Sequence, residues 1–417
     1  MAAVHLQMPM LEPADVQQFH VSLLVLGGLL ALGALVSGLA KRSFLSLAAL
    51  FVLAGFVLGQ GGFGVLDFNA RSGFVGDLAT VALIVILLRD GLEVDAEMLQ
   101  SHWRLPFRKL ALAMPMTAGI IAVATRVLTD LSWTEAFLVG CLLSPTDPVL
   151  SSNVVTNPRV PGVIRHSLNL ESGLNDGLAL PAVLAFSAAL TSGNGHFVWW
   201  RFVLEDVSIG LAMGLAVAFV AAWVMPREGS LDAGIPSHQK SLYALGVAFA
   251  AYGLAVLTRH GNGLIAVYVA AITFGIRRPD IRGHFEAQSD DLVEIVKLGI
   301  FVVFGSLLTL HGLFGDGWSA VAIVAVTLLV ARPVAVFAAL AGTTVGTAAK
   351  GFMAWFGPKG VATMTFSLLV LSDQITAGRR IFNLAALVVF CSVLVHGATD
   401  TAGVEWIARR SERPARR

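Results

Sequence analysis

The chain has 417 residues, 56% of them hydrophobic and only 13% charged, with a formal net charge of +1; its mean hydropathy is +0.78. Soluble domains carry about 25% charged residues, so too little polar surface is available here for a water-soluble globule of this length. The near-zero charge gives no footing for binding nucleic acid, and Cys141 and Cys391 lie in apolar runs without metal-ligand spacing, as small buried side chains do.

In chain order, apolar runs bounded by charges or Gly/Pro clusters predict thirteen spans, each near the roughly 20 residues a helix needs to cross a bilayer. They are 20–39, 43–59, 74–92, 109–128, 133–151, 162–190, 202–225, 241–258, 262–276, 292–310, 318–341, 351–371 and 381–400. The first nineteen residues hold Glu12 and Asp15 and no Lys or Arg; a signal peptide would start basic, so the first run is read as a retained helix. With the N-terminus outside and the spans alternating, 18 basic residues fall on the inner side, Lys109 and Lys240 among them, and 6 on the outer side. That asymmetry follows the positive-inside rule. The expectation is an all-α polytopic protein of the cell (inner) membrane, N-terminus outside and C-terminus cytoplasmic. One transmembrane domain covers 1–408, and 409–417 form a short basic tail.

A charge at the bilayer centre costs at least about 2.5–3.5 kcal/mol, so intramembrane acids are expected to be paired or to face a wet path. Span five ends in Ser144-Pro145-Thr146-Asp147-Pro148-Val149. Two prolines three apart cannot sit in an unbroken helix, because each lacks an N–H and crowds the preceding turn. The opened backbone, the Thr146 hydroxyl and the Asp147 carboxylate make a candidate cation site. The plainer alternative is a loop in which Asp147 caps the next helix.

Span six carries Glu171-Ser172-Gly173-Leu174-Asn175-Asp176-Gly177. Ser172 and Asp176, four apart, share a helix face, whereas Glu171 points about 140° away from Asp176. Glu171 therefore needs its own partner, and Arg332 in span eleven, which cannot lose its proton, is the expected one. Asn175 lies four after Glu171 and is placed to hydrogen-bond it or to hold the local backbone.

Span twelve contains Gly357-Pro358-Lys359-Gly360, a second interrupted helix. Lys359 would bring a positive charge to the breaks and offset helix C-terminal dipoles or compete for a carboxylate, or else snorkel. Interrupted helices in corresponding positions of two halves mark a transporter binding site, and an odd offset of seven spans implies an inverted repeat. Asp90 is expected to pair locally with Arg89, and Glu294 with Lys297 one turn on. His166, His311 and His396 show no ligand pattern. No Gly-Lys-Ser/Thr phosphate loop occurs, and no cofactor is expected. An intramembrane aspartyl enzyme would need its aspartates to face each other at a cleavage loop, so an enzyme is disfavoured. A carrier or channel for another small solute stays the alternative.

Taken together, the runs at 144–149, 171–177 and 357–360 resemble the electroneutral sodium/proton exchanger branch of the monovalent cation/proton antiporter superfamily, in order and spacing over nearly the whole chain. The resemblance implies a core bundle with a dimerisation scaffold, a homodimer, and one-for-one exchange of sodium (or lithium or potassium) for a proton by alternating access, in the service of pH homeostasis. It implies that Asp176 binds the ion and the proton, and that Thr146, Asp147 and Ser172 help coordinate the monovalent metal cation. Asn175 would position Asp176, Glu171 and Arg332 would form a structural ion pair, and Lys359 and Asp90 would be accessory. The order Asn175-Asp176, rather than two acids, is associated with electroneutral exchange in that superfamily. Three features depart from its pattern: Leu88-Arg89-Asp90-Gly91 stands where Phe-Glu-Gly is usual, Lys359 where Arg is common, and Leu150-Ser151 where Ala-Val is common.

Overall fold

The computed structural model describes residues 47–69, 73–94, 103–147, 152–191, 198–226, 235–258 and 260–411, with positions 24, 27, 28, 31 and 35, which are helical. Among the described residues all regular structure is helical. The helices are α1 Leu47–Leu58, α2 Gly73–Glu93, α3 Arg104–Leu128, α4 Trp133–Leu143, α5 Ser152–Thr156, α6 Gly162–Thr191, α7 Trp199–Val224 and α8 Ser237–Leu257. They continue as α9 Gly263–Arg277, α10 Pro279–Gln288, α11 Asp290–Ser306, α12 Trp318–Ala339, α13 Thr347–Trp355, α14 Val361–Ser372 and α15 Gly378–Ser411, with a single helical turn at Leu310–Leu313 between α11 and α12. Six of these are long and apolar enough to cross a membrane (α3, α6, α7, α8, α12 and α15), and α1, α4, α9 and α14 are shorter apolar helices.

A helix or a helix pair stands at each expected span from 43–59 onward. The first span, 20–39, lies outside the described residues except at the five positions given above, as do Pro148, Val149, Leu150 and Ser151. Local chemistry sets several boundaries. Ser132 and Glu135 form a reciprocal capping box that starts α4, with Ser132 N to Glu135 Oε2 at 2.7 Å and Glu135 N to Ser132 Oγ at 3.3 Å. Asn262 caps α9 through the N–H groups of Leu264 and Ile265 at 3.1 and 3.2 Å. At the centre, α2 packs against α6, α9, α11 and α14, and α9 lies against α7 and α8.

Span five opens where its prolines require: α4 stops at Leu143, ahead of Pro145. Three expectations are corrected by this architecture. The stretch read as a loop between spans nine and ten holds α10, whose buried Ile281 and Phe285, four apart, give it an apolar face. The basic tail is not separate from the last helix up to Ser411, because Val404 and Ile407 stay buried in one apolar cluster with Phe352 and Phe356 and carry Arg409 and Arg410 along in α15. Residues 412–417 lie outside the described set. Lys109, Lys240 and Arg278, all placed on the inner side, are buried at 1%, 5% and 3% exposure, so the charge asymmetry counted three groups that do not face water.

Candidate functional site at two helix breaks

The first break follows from Pro145. Ser144 folds back on Cys141, its N–H and its hydroxyl both donating to the Cys141 carbonyl at 3.4 and 3.1 Å, and residues 144–147 leave the helix. The second break lies between α13 and α14, where 356–360 are non-helical around Pro358. The two breaks touch. Asp147 N donates to Pro358 O at 2.8 Å, and Val361 N lies 3.5 Å from Asp147 Oδ2. The Lys359 ammonium, 1% exposed, donates to the carbonyls of Ser144 and Pro145 at 3.3 and 3.1 Å. A cation thus meets carbonyls that the end of α4 leaves without helical donors. A Cβ on Gly360 would overlap the Asp147 side chain, and one on Gly357 would overlap Arg332; the close approach of the breaks requires both glycines.

Helix α6 brings the second set of groups. Asp176 is buried, and the charge of the likewise buried Asp90 on α2 acts on it. Among the described residues Arg89 makes its close ion pairs elsewhere than with Asp90, although the two charges still act on each other. Adjacent helical residues point about 100° apart, so Arg89 runs outward to Glu93 at 3.0 Å and towards Asp290 at 4.0 Å, while Asp90 turns inward. Ser172 is half-buried, one turn before Asp176 on the same face. Pro181 inside α6 has no N–H to give the Gly177 carbonyl, one residue from Asp176; the Gly177–Pro181 spacing was visible in the sequence and went unused.

Asn175 does not bond Glu171. Its Nδ2 donates to the Thr146 carbonyl at 2.7 Å and to Thr146 Oγ1 at 3.2 Å, because the Glu171 oxygens are taken by two cations. Arg332 Nη1 and Nη2 reach Glu171 Oε1 and Oε2 at 2.8 and 3.3 Å, and Lys109 Nζ reaches Oε2 at 2.5 Å. Sequence reasoning found the first cation and missed the second, whose signal was a lysine at the edge of an apolar run. Lys109 also bonds Ser167 Oγ at 3.2 Å. Arg332 extends to the Met353 and Phe356 carbonyls at 3.2 and 3.4 Å and lies 3.5 Å from Thr146 Oγ1. Both cations stand at π-helical segments, Lys109–Ala113 and Val326–Ala331; an inserted residue re-aims side chains there.

Two further groups complete the surroundings. Tyr268 on α9, absent from the sequence-based set, donates to the Gly173 carbonyl at 3.0 Å, beside the Asp176 turn. Lys297 forms no ion pair with Glu294 among the described residues; its charge acts on Asp90 and Asp176 instead, and its face of α11 carries the buried Val293, Ile300 and Phe301. The Asn175 Oδ1 atom is buried without a donor. Among the described residues no three His, Cys, Asp or Glu side chains converge as a metal cluster. Any cation here would be held by fewer carboxylates together with neutral oxygens.

These features define a helical, membrane-type protein with two interrupted helices meeting at buried charge. The sequence pattern of the transmembrane sodium/hydrogen exchanger family matches residues 28–406, and the chain belongs to that family. It is similar to the K(+)/H(+) antiporter NhaP2 of Shewanella oneidensis, at 26% identity over 390 residues, covering 91% of this chain and 66% of that protein. It is also similar to the K(+)/H(+) antiporter NhaP of Alkalimonas amylolytica, at 22% identity over 397 residues, covering 94% of this chain and 67% of that one. The chain spans about two thirds of the length of these curated relatives. Its fold is that of the sodium proton antiporter MjNhaP1 from Methanocaldococcus jannaschii, with a TM-score of 0.77, 19% identity, and coverage of 94% of this chain and 99% of that one.

Proposed function

We propose that this protein is a secondary antiporter exchanging a monovalent cation for a proton, with Asp176 as the carboxylate that binds each in turn. The observation that carries this reading is the buried Asp176 on the helix that grips the opened backbone at Thr146 through Asn175, with Asp90 of α2 also buried and acting on it. In this reading a cation arriving beside Asp176 takes the place of its proton. Asp147, Thr146 and Ser172 supply further oxygens, and the unmatched Asn175 Oδ1 is a neutral acceptor in the same region. Leaving it without a donor costs about 1–3 kcal/mol, which a bound cation would offset. Glu171, Arg332 and Lys109 hold the geometry, and Lys359 neutralises the carbonyls of the first break.

Coupling follows from burial. A site carrying a proton or a cation has its charge compensated, whereas an empty ionised site is penalised in a low-dielectric interior. Only loaded forms then change access, which makes exchange obligatory and one for one. In this reading the chain crosses the cell (inner) membrane thirteen times, N-terminus outside and C-terminus cytoplasmic. Its broken helices belong to inverted repeats that rock against each other, and it works as a homodimer. The cation is sodium, with lithium as its nearest substitute. The printed descriptions of the S. oneidensis and A. amylolytica relatives favour a second reading, in which it is potassium.

The test is reconstitution in liposomes with an imposed pH gradient, followed by additions of sodium, lithium and potassium salts. The expected result is dissipation by at least one cation in the wild type and its loss in Asp176→Asn. A gradient that survives all three cations, or an Asp176→Asn protein as fast as wild type, ends the reading. A current that tracks membrane potential without counter-flux would point to a channel.

A further inference from the structure

We propose that Ser392 and His396 are a positioning pair that holds the second helix break in register with Asp147. The two residues lie four apart on one face of α15 and are buried, at 0% and 3% exposure. Lys359 N donates to Ser392 Oγ at 2.9 Å. On the other side of the break, His396 Nε2 lies 2.9 Å from the carbonyl oxygen of Trp355, the last residue of α13. Each ring nitrogen of His396 thus has a main-chain carbonyl beside it, and a carbonyl accepts from whichever nitrogen carries the proton.

Nδ1 lies 3.2 Å from Ser392 Oγ and 2.7 Å from the Ser392 carbonyl. Lys359 N–H, the Ser392 hydroxyl, the His396 ring and the Trp355 carbonyl therefore form one connected polar network. A parallel tie, Trp355 Nε1 to Thr399 Oγ1 at 3.0 Å, holds the same end of α13 to α15. The pair thus fixes the main chain on both sides of 356–358.

Its consequence reaches the ion site through three neighbours. Pro358 O accepts from Asp147 N, Lys359 Nζ holds the Ser144 and Pro145 carbonyls, and Gly360 lies against the Asp147 side chain. Whatever fixes the main chain at Lys359 therefore fixes where Asp147 sits. Simple packing of polar groups between helices would affect stability alone. Positioning affects the grip on the cation, and that transport readout rests on the antiport reading.

The experiment compares full-length wild type, Ser392→Ala, Ser392→Thr, His396→Ala and the double alanine variant, by hydrogen–deuterium exchange of the peptide carrying the Lys359 amide and by cation-dependent exchange in liposomes. In the alanine variants the amide should exchange about fivefold faster. The apparent KM for the cation should rise about three- to tenfold, the effect of one lost hydrogen bond, with maximal rate kept within about twofold. Ser392→Thr should restore both, and the double variant should be no worse than the worse single one, because residues in one network are not additive. Unchanged protection of the Lys359 amide, unchanged KM beside altered protection, or additive effects would each overturn the proposal. A wild type inert towards every cation would instead sink the antiport reading, and the amide exchange would still decide the pair.

Discussion

The backbone N–H of Asp147 meets the carbonyl of Pro358 at 2.8 Å, joining a helix broken early in the chain to one broken near its end. Each break opens because a proline cannot donate, and each then offers the other what it lacks: a donor from Asp147, a cation from Lys359. Neither opened segment would be stable alone in an apolar setting. Together they place Asp147 across from α6, where Asn175 spans the gap to Thr146.

Gly360→Ala should break this contact. The added Cβ would overlap the Asp147 side chain, and overpacking typically costs about 1–3 kcal/mol. Thermal unfolding in detergent should show a lowered midpoint together with lost cation/proton exchange. Gly299→Ala is the control: its Cβ meets nothing within 4 Å and it lies inside α11, so a neutral effect or a gain of up to about 1 kcal/mol is expected. Equal behaviour of the two variants would contradict the packing argument.

The two cations on Glu171 should be unequal. Arg332→Met removes the bidentate partner and frees the carbonyls of Met353 and Phe356, and stripping a buried charge pair of one member costs about 3–5 kcal/mol. Lys109→Met leaves the arginine fork in place and should cost less. Denaturant unfolding of both variants checks the order; a larger loss for Lys109→Met would show that Arg332 is not the principal partner.

Asn175→Ala leaves the Thr146 carbonyl and hydroxyl without their amide donor, a loss of about 1–3 kcal/mol for buried groups. Asn175→Asp keeps the shape but places a carboxylate, which cannot donate, against the Thr146 carbonyl. Both variants should lose most of their exchange rate in liposomes. Near-normal exchange by Asn175→Asp would mean that shape, not donation, is what the position supplies.

A pH-dependent tie is expected outside the membrane-spanning segments. Arg380 Nη1 bonds Asp130 Oδ1 at 2.6 Å and Arg380 also pairs with Asp316, tying the turn between α3 and α4 to the start of α15. The hydrogen bond from Arg380 holds the Asp130 carboxyl below the usual carboxylate range. A depressed folded-state value means a contribution fully present above the unfolded value, near about 3.9, and lost as pH falls through the folded one. The difference in unfolding midpoint between wild type and Asp130→Asn should thus persist at neutral pH and close on acidification below about pH 4. A gap independent of pH would exclude the tie.

By itself the sequence determined the membrane setting, twelve helix positions after the first span, both breaks and the need of Glu171 for an arginine, because each follows from local rules. Long apolar runs must be helices in a bilayer, prolines remove donors wherever they fall, and a permanent charge in an apolar span demands a partner. The tertiary structure alone decided which groups meet. Asp90 came to act on Asp176, Asn175 met Thr146 rather than Glu171, Lys109 came in from the edge of an apolar run to Glu171, and the charge of Lys297 acts on the buried aspartates rather than pairing with Glu294. Spacing along a helix fixes the direction of a side chain only within its own helix. Which neighbouring helix stands in that direction depends on how α2, α3, α6 and α11 pack, and no local pattern records that.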